Sequence, residues 1–133
     1  MKALYSAVLW AAFGARLLGA QSPPSVPPPN HVEVIVYPQD DTSEFNNDYY
    51  LNEQMPFISE LWTPFGMRGY HVIQLSPSAN YSILTEIFFD NAQQFHDAFD
   101  AHGDEILRRV QYFSNRDPIR WEGSVINVAG ERV

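Results

Sequence analysis

The sequence predicts an α+β domain in which strands and helices follow the order β-α-β-β-α-β. Four segments rich in β-branched and aromatic residues are typical of strands, and short polar connections bound them. Two segments with apolar residues at helical spacing interrupt this series, one after the first strand and one after the third. This order predicts the ferredoxin-like plan, a four-stranded antiparallel sheet with two main helices on one face.

The first thirty residues differ in composition from the rest of the chain. Residues 1–21 are interpreted as a signal-peptide-like leader, since Lys2 precedes an apolar run and Ala20 before Gln21 suits cleavage. Residues 22–30 contain five prolines and predict an extended linker. We therefore expect a secreted protein whose domain spans residues 31–133. A mitochondrial-type presequence and a misassigned start are the alternatives for the leader.

Hydrophobic periodicity and turn residues set the expected bounds of the elements. The polar connection Ser-Pro-Ser-Ala-Asn between the second and third strands predicts a β-hairpin. The six predicted elements are a strand over residues 32–37, a helix over 49–62, strands over 67–75 and 81–89, a helix from 91 that Gly103 interrupts before it resumes over 104–110, and a strand over 119–128.

The first predicted helix carries a polar residue in its apolar stripe. Tyr50, Gln54 and Leu61 fall on one face at helical spacing. Pro56 removes a backbone hydrogen bond inside this helix, so we expect a kink or a break near Met55. An unpartnered buried amide costs about 1–3 kcal/mol. Gln54 is therefore expected to be hydrogen-bonded or to border a cavity.

Apolar side chains are expected on both faces of the sheet. Residues 81–89 show apolar side chains on both faces, and so does the first predicted strand, where Val32, Val34 and Val36 alternate with Glu33, Ile35 and Tyr37. The two helices cover only one face. Another surface is therefore expected to cover the second face.

The segments DYYLNEQMPF and LWTPFGMRGYHV, residues 48–57 and 61–72, carry a family resemblance. They resemble the EthD family of the dimeric α+β barrel group, whose usual pattern here is a tyrosine pair, a short spacer and His-x-Pro. The chain keeps Tyr49, Tyr50 and Pro56 and has Gln54 where the family usually has histidine. The resemblance, which covers residues from about 31 to 129, implies a homodimer packed through the open sheet face.

Composition excludes several classes of function. Eight basic residues against sixteen acidic ones make nucleic acid and anionic membranes poor partners, and no stable membrane insertion is expected. Lys2 is the only lysine and cysteine is absent, so lysine Schiff-base and thiol chemistry have no candidate in the domain. Phosphate-loop, GxSxG and HExxH motifs are also absent. The sequence therefore predicts neither a cofactor nor a metal.

The resemblance implies a small cofactor-free enzyme acting on an aromatic or polyketide-like substrate, of oxidoreductase, dehydratase or decarboxylase type. In that hypothesis Tyr50 and His71 are the catalytic acid or base, and Gln54 holds a substrate oxygen. The other expected substrate-contacting residues are Tyr37, Trp62 and Glu86. The alternative is a non-catalytic dimeric ligand-binding or structural barrel protein, since Gln54 replaces the motif histidine.

Two of these candidates also have an ordinary structural interpretation. His71 on a strand can be a paired polar residue in the wall of the domain. Glu86 lies inside an apolar strand, where an ion pair with Arg68, Arg120 or a second subunit would stabilise its charge.

Overall fold

The computed structural model describes residues 27–130, and its element order is the predicted β-α-β-β-α-β. The leader and most of the proline-rich linker lie outside these residues, so the domain boundaries stay a prediction. The strands and helices are β1 (His31–Pro38), α1 (residues 47–62), β2 (Gly69–Gln74), β3 (Tyr81–Phe89), α2 (Ala92–Arg108) and β4 (Ile119–Ser124). The 3₁₀ turns Thr63–Phe65 and Val110–Tyr112 follow the two helices.

The four strands form one sheet in the order β2-β3-β1-β4, with every neighbouring pair antiparallel. Both helices pack on one face, and the predicted ferredoxin-like α+β class is confirmed. Within residues 27–130, no helix combines the length and apolar character needed to cross a membrane.

Alternation along β1 and β3 separates the two faces of the sheet. On β1, His31, Glu33, Ile35 and Tyr37 are buried beneath the helices. The same face of β3 presents Ile83, Thr85, Ile87 and Phe89, all buried. The intervening residues of both strands point to the open face. The core therefore lies between the sheet and the two helices, as the apolar stripes of the helices predict.

Helix α1 changes its winding in front of Pro56. It begins as α-helix over Asn47–Tyr49, becomes π-helical over Tyr50–Gln54, and continues as α-helix over Met55–Trp62. The backbone N–H of Met55 bonds to the carbonyl of Tyr50, five residues back. Pro56 lacks the N–H that a regular α-helix would use here, so the interruption expected near Met55 takes the form of a wider turn.

Helix α2 runs without a break through Gly103, so the predicted interruption there is wrong. Gly103 is buried, and a Cβ at this position would lie 2.8 Å from the Phe99 ring. The glycine therefore allows a close approach within the helix instead of ending it.

The last strand is shorter than predicted, since β4 ends at Ser124 and not at residue 128. Its partner β1 begins at His31, which pairs with Ser124. The N–H of Val125 still reaches the carbonyl of Asn30, at 2.9 Å. Beyond that bond the chain leaves the sheet, and Ile126 is 94 % exposed.

Candidate functional site

A cavity lies between the sheet and the two helices. Its volume, counted as the space open to the centre of a water molecule, is about 20 Å³, which accommodates about one water. The predicted site residues Tyr37, Tyr50, Gln54 and Trp62 line it. The remaining lining residues are Glu33, Ile35, Ile58, Phe99, Ile106, Leu107, Val110, Pro118 and Arg120. Gln54 borders a cavity, as expected, but the cavity is too small for the aromatic substrate that the family resemblance implies.

Glu33 is an ionisable residue at this cavity that the sequence analysis does not identify as a site residue. Its side chain is fully buried, and Oε2 accepts a hydrogen bond of 2.5 Å from Nη1 of Arg120. Oε1 is also buried and has no hydrogen-bond partner among the described residues. Burial raises the pKa of Glu33 to about 7, and the bond from Arg120 offsets part of this rise.

Trp62 provides a second unpartnered polar atom in the wall of the cavity. The residue is 2 % exposed, and its Nε1 has no hydrogen-bond partner within residues 27–130. A buried donor and a buried acceptor without partners each carry a desolvation cost of about 1–3 kcal/mol. The cavity therefore joins a donor, the Trp62 indole N–H, with an acceptor, Glu33 Oε1, among apolar walls.

Both polar atoms of the Gln54 side-chain amide form hydrogen bonds. Its Nε2 donates to the carbonyl of Ile106 at 3.2 Å, and its Oε1 accepts from Nε of Arg109 at 3.0 Å. Arg109 also donates to the hydroxyl of Tyr49 at 3.2 Å and lies 4.0 Å from the ring centre of Phe57. Gln54 is thus both hydrogen-bonded and beside the cavity, and it ties α1 to the end of α2.

The two predicted tyrosines are fully buried. The hydroxyl of Tyr50 lies 2.7 Å from Oγ1 of Thr85, and burial raises the pKa of Tyr50 to about 12. Burial also raises the pKa of Tyr37 far above its ordinary value. Both phenols therefore stay protonated at neutral pH, where they can donate or accept hydrogen bonds but do not act as anionic bases.

His71 and Glu86 lie on the other face of the sheet, so the predicted catalytic His71 and the predicted substrate contact Glu86 do not line the cavity. The two residues pair across β2 and β3, with Nδ1 of His71 3.2 Å from Oε1 of Glu86. Strand alternation turns both away from the helices. The suggested arginine partners of Glu86 bind elsewhere, since Arg68 pairs with Asp90 and Arg120 with Glu33.

No protein-family model matches the sequence, and no curated protein matches it in sequence. Among solved structures, an EthD-like protein from Ralstonia eutropha is 22 % identical with a TM-score of 0.68, covering 78 % of this chain and 99 % of that one. The chain has the EthD-like fold. The resemblance predicted from Tyr49, Tyr50 and Pro56 is therefore confirmed for the fold.

Two enzymes share this EthD-like fold at lower identity. SnoaB, a cofactor-independent oxygenase from Streptomyces nogalater, is 8 % identical with a TM-score of 0.58, covering 78 % of this chain and all of that one. A monooxygenase from Streptomyces coelicolor, solved with the ligand nanaomycin D, is 12 % identical with a TM-score of 0.53. It is matched over 78 % of this chain and 94 % of its own.

The EthD-like fold places the polar cavity and the His71–Glu86 pair in different environments. The cavity combines one carboxyl, one guanidinium, one amide and three aromatic donors with apolar walls. Such a set can hold a small polar group by hydrogen bonds and exchange a proton with it. The one sequence signal for Glu33 is alternation, since a glutamate two residues after His31 and two before Ile35 shares their buried face.

Proposed function

We propose that the chain is a small cofactor-free enzyme that acts on an aromatic or polyketide-like substrate at the helix–sheet cavity. The observation that carries this proposal is the pair of buried, unpartnered polar atoms at an aromatic-walled cavity, Glu33 Oε1 and Trp62 Nε1. Buried polar groups are normally satisfied, so such atoms indicate a position for a polar ligand.

In this proposal Glu33 exchanges a proton with the substrate. The phenol groups of the two tyrosines and the amide of Gln54 hold the substrate in place. Oxidation by molecular oxygen, dehydration and decarboxylation each include a proton transfer at carbon or oxygen, which is the step available to a carboxyl group. Trp62 donates a hydrogen bond to a substrate oxygen. Tyr37, Tyr50 and Gln54 line the same cavity as Glu33. His71 has no part in this step.

Substrate entry requires the helices to separate, because the closed cavity holds only about 20 Å³. Leu107 lines the cavity and is 38 % exposed, so the cavity lies near the surface on that side of α2. The π-helical turn Tyr50–Gln54 borders the same space, and such turns are frequent at functional sites. Opening at these two places admits a flat molecule without disturbing the sheet.

The fold neighbours support this choice of substrate and suggest a probe. SnoaB is a cofactor-independent oxygenase, and the Streptomyces coelicolor monooxygenase binds nanaomycin D. We expect nanaomycin D or a related hydroxylated polycyclic ketone to quench the fluorescence of Trp62. A Trp62→Phe variant, which keeps an aromatic side chain but lacks the indole N–H, should bind the probe more weakly. Because it also lacks the Trp62 fluorophore, it separates this signal from that of the other tryptophans.

Turnover is tested with a panel of hydroxylated aromatic and polyketide-like compounds. Glu33→Gln should lower kcat by at least about tenfold, because the amide cannot exchange the proton. Glu60→Gln, which removes an exposed carboxyl on α1, is the matched control and should leave kcat unchanged. A Glu33→Gln enzyme with full turnover overturns the assigned role of Glu33.

A second candidate is a non-catalytic ligand-binding protein. The observation that favours it is Gln54, which occupies the place of the motif histidine and is already bonded to Ile106 and Arg109. Gln54→His separates the two functions. If this variant gains turnover where the native chain has none, the native protein is a binding protein that has lost catalysis.

We also propose that the chain is a secreted homodimer joined through the open sheet face. Ile73 of β2 and Ile119 and Trp121 of β4 are exposed on that face. The middle strands add Val32, Val34, Leu84 and Phe88, which their own helices leave uncovered. An apolar surface of this extent normally packs against a partner.

Secretion is tested by expression in a secretory host, where the mature chain should begin at Gln21.

A further inference from the structure

Three potential metal ligands meet at the edge of the helix-facing side of the sheet. His31 and Glu33 lie two residues apart on β1, and Glu122 pairs directly with Glu33 from β4. One ligand atom from each of the three lies within 4.8 Å of the others. The cluster therefore joins an imidazole and two carboxylates from neighbouring strands.

Two atoms of this cluster are buried and have no hydrogen-bond partner in the described part of the chain. His31 is 5 % exposed and Glu33 is fully buried. Nε2 of His31 and Oε1 of Glu33 have no hydrogen-bond partner among residues 27–130. A protein rarely leaves two such groups unsatisfied side by side, so these atoms point to an additional bound species.

The surroundings of Glu122 fit a cation more closely than a hydrogen-bond network. Its Oε1 lies 3.7 Å from Nε2 of His31, too far for a hydrogen bond, and 2.9 Å from Nε2 of His96. Glu122 also faces Glu33 across the ladder, and like charges directly opposite are destabilising. Arg120 binds only the other oxygen of Glu33. A cation between the two carboxylates would relieve this repulsion.

We propose that His31, Glu33 and Glu122 bind one divalent transition-metal ion, with His96 orienting Glu122 from α2. Imidazole with carboxylate favours Zn²⁺, Co²⁺ or Mn²⁺, whereas Ca²⁺ and Mg²⁺ prefer oxygen ligands alone. The ion binds Nε2 of His31, Oε1 of Glu33 and Oε1 of Glu122. The hydrogen bond from His96 is of the kind that fixes metal-ligating carboxylates in known sites.

The ligand atoms need to move only slightly to hold such an ion. Zinc bonds to nitrogen and oxygen are about 2.0–2.2 Å long, which places tetrahedral ligand atoms about 3.4 Å apart. The side chain of Glu122 is 43 % exposed and can make this adjustment, while the buried His31 and Glu33 stay in place. Water can complete the coordination from the exposed side.

Metal binding itself does not depend on the proposed enzyme function. One consequence does rest on that function, because the ion takes the Glu33 oxygen that the proposed reaction uses. The metal-bound chain is then inactive, and Zn²⁺ acts as an inhibitor that a chelator reverses.

The test is a titration of chelator-treated full-length protein with Zn²⁺ by calorimetry and with Co²⁺ by visible absorption. We expect one ion per chain and a rise in Tm with Zn²⁺, since an ion that binds the folded state stabilises it. His31→Gln and Glu122→Gln should each weaken binding by more than about tenfold. His102→Gln is the matched control, since this histidine pairs with Glu105 elsewhere on α2.

Glu122 is exposed, so Glu122→Gln is expected to fold even if the buried substitution His31→Gln prevents folding. The Glu122→Gln variant alone can therefore decide the test. Circular dichroism checks the fold of each variant. Equal Zn²⁺ affinity in wild type and Glu122→Gln overturns the proposal, as does the absence of binding at millimolar Zn²⁺. Failure of Zn²⁺ to inhibit turnover, with binding intact, contradicts the proposed role of Glu33 and not the metal site.

Discussion

Arg120 donates a hydrogen bond of 2.5 Å from Nη1 to Oε2 of Glu33, and its guanidinium lies 4.5 Å from the ring centre of Phe99. The pair joins the partly exposed β4 to the buried interior of β1. It uses one carboxylate oxygen of Glu33 and leaves the other without a partner in the described chain. The hydrogen bond from Arg120 therefore fixes the position of the Glu33 carboxyl group, whereas the protonation of this group depends on the pH.

Stability should depend on pH through Glu33. Burial raises the pKa of folded Glu33 from 4.5 to about 7, whereas the unfolded chain keeps the ordinary value. The folded state holds this proton more tightly, so the resulting stabilisation is complete below about pH 4.5 and is lost as the pH rises through about 7. This shift corresponds to a change of about 3 kcal/mol in the free energy of unfolding.

Glu33→Gln keeps the shape of the neutral side chain and removes its titration. Urea unfolding with a chelator in the buffer should give equal stability for variant and wild type near pH 4.5. At about pH 8.5 the variant should be more stable by about 3 kcal/mol. Glu60→Gln, at an exposed position, should show no such divergence. A difference that is the same at both pH values would contradict the prediction.

Gln54→Leu should destabilise the protein by about 1–3 kcal/mol. The change leaves the buried carbonyl of Ile106 and the Nε donor of Arg109 without the partners that Gln54 provides. Had Gln54 been an ordinary core residue without partners, leucine would have been neutral or stabilising. Chemical unfolding measures the effect, with Gln93→Leu on the exposed face of α2 as the control. Equal stability of both variants would contradict the prediction that the hydrogen bonds of Gln54 stabilise the protein.

Most of the fold could be predicted from the sequence because each element carries its own local signal. The third strand was predicted with its observed bounds, Tyr81–Phe89. The errors occur where long-range packing decides the outcome. Gly103 looks like a helix end, but its missing Cβ accommodates Phe99. Ser124 ends the last strand because its partner strand begins at His31.

The candidate site was only partly predictable, since a cavity depends on which strand positions share a face. Helical spacing was sufficient to turn Tyr50 and Gln54 inward. For His71, the face follows from its pairing opposite Glu86, which the local sequence does not specify. Glu33 was missed because one charge in an apolar strand looks like a solvent-facing residue until the register places it beside Arg120.

A shortened chain that begins at Pro27 should have the same Tm as the full chain. The carbonyl of Pro27 accepts from Nη2 of Arg68 at 2.8 Å, and that of Asn30 accepts from the N–H of Val125 at 2.9 Å. A chain that begins at His31 lacks both acceptors and should lose about 1–3 kcal/mol. Differential scanning calorimetry compares the three chains. A large drop in Tm already at Pro27 would show that residues 1–26 pack on the domain.

Trp121→Glu should convert the proposed homodimer into monomers. Trp121 is 52 % exposed at the centre of β4 on the open sheet face, and it lies opposite Val34 of β1. A charge here would have to be desolvated in a sheet-to-sheet interface, which costs several kcal/mol for an unpaired ion. Sedimentation at micromolar concentration should therefore show a dimer for wild type and a monomer for the variant.

Tyr112→Glu is the matched control for this interface. Tyr112 is 58 % exposed in the 3₁₀ turn after α2, away from the open sheet face. The same charge at this position should leave the dimer intact, because the residue is not covered by a sheet-to-sheet partner. Dissociation by both substitutions would place the contact elsewhere. If the wild type is a monomer at micromolar concentration, the sheet-face dimer is wrong. Ile73, Ile119 and Trp121 would then form a solvent-exposed apolar surface.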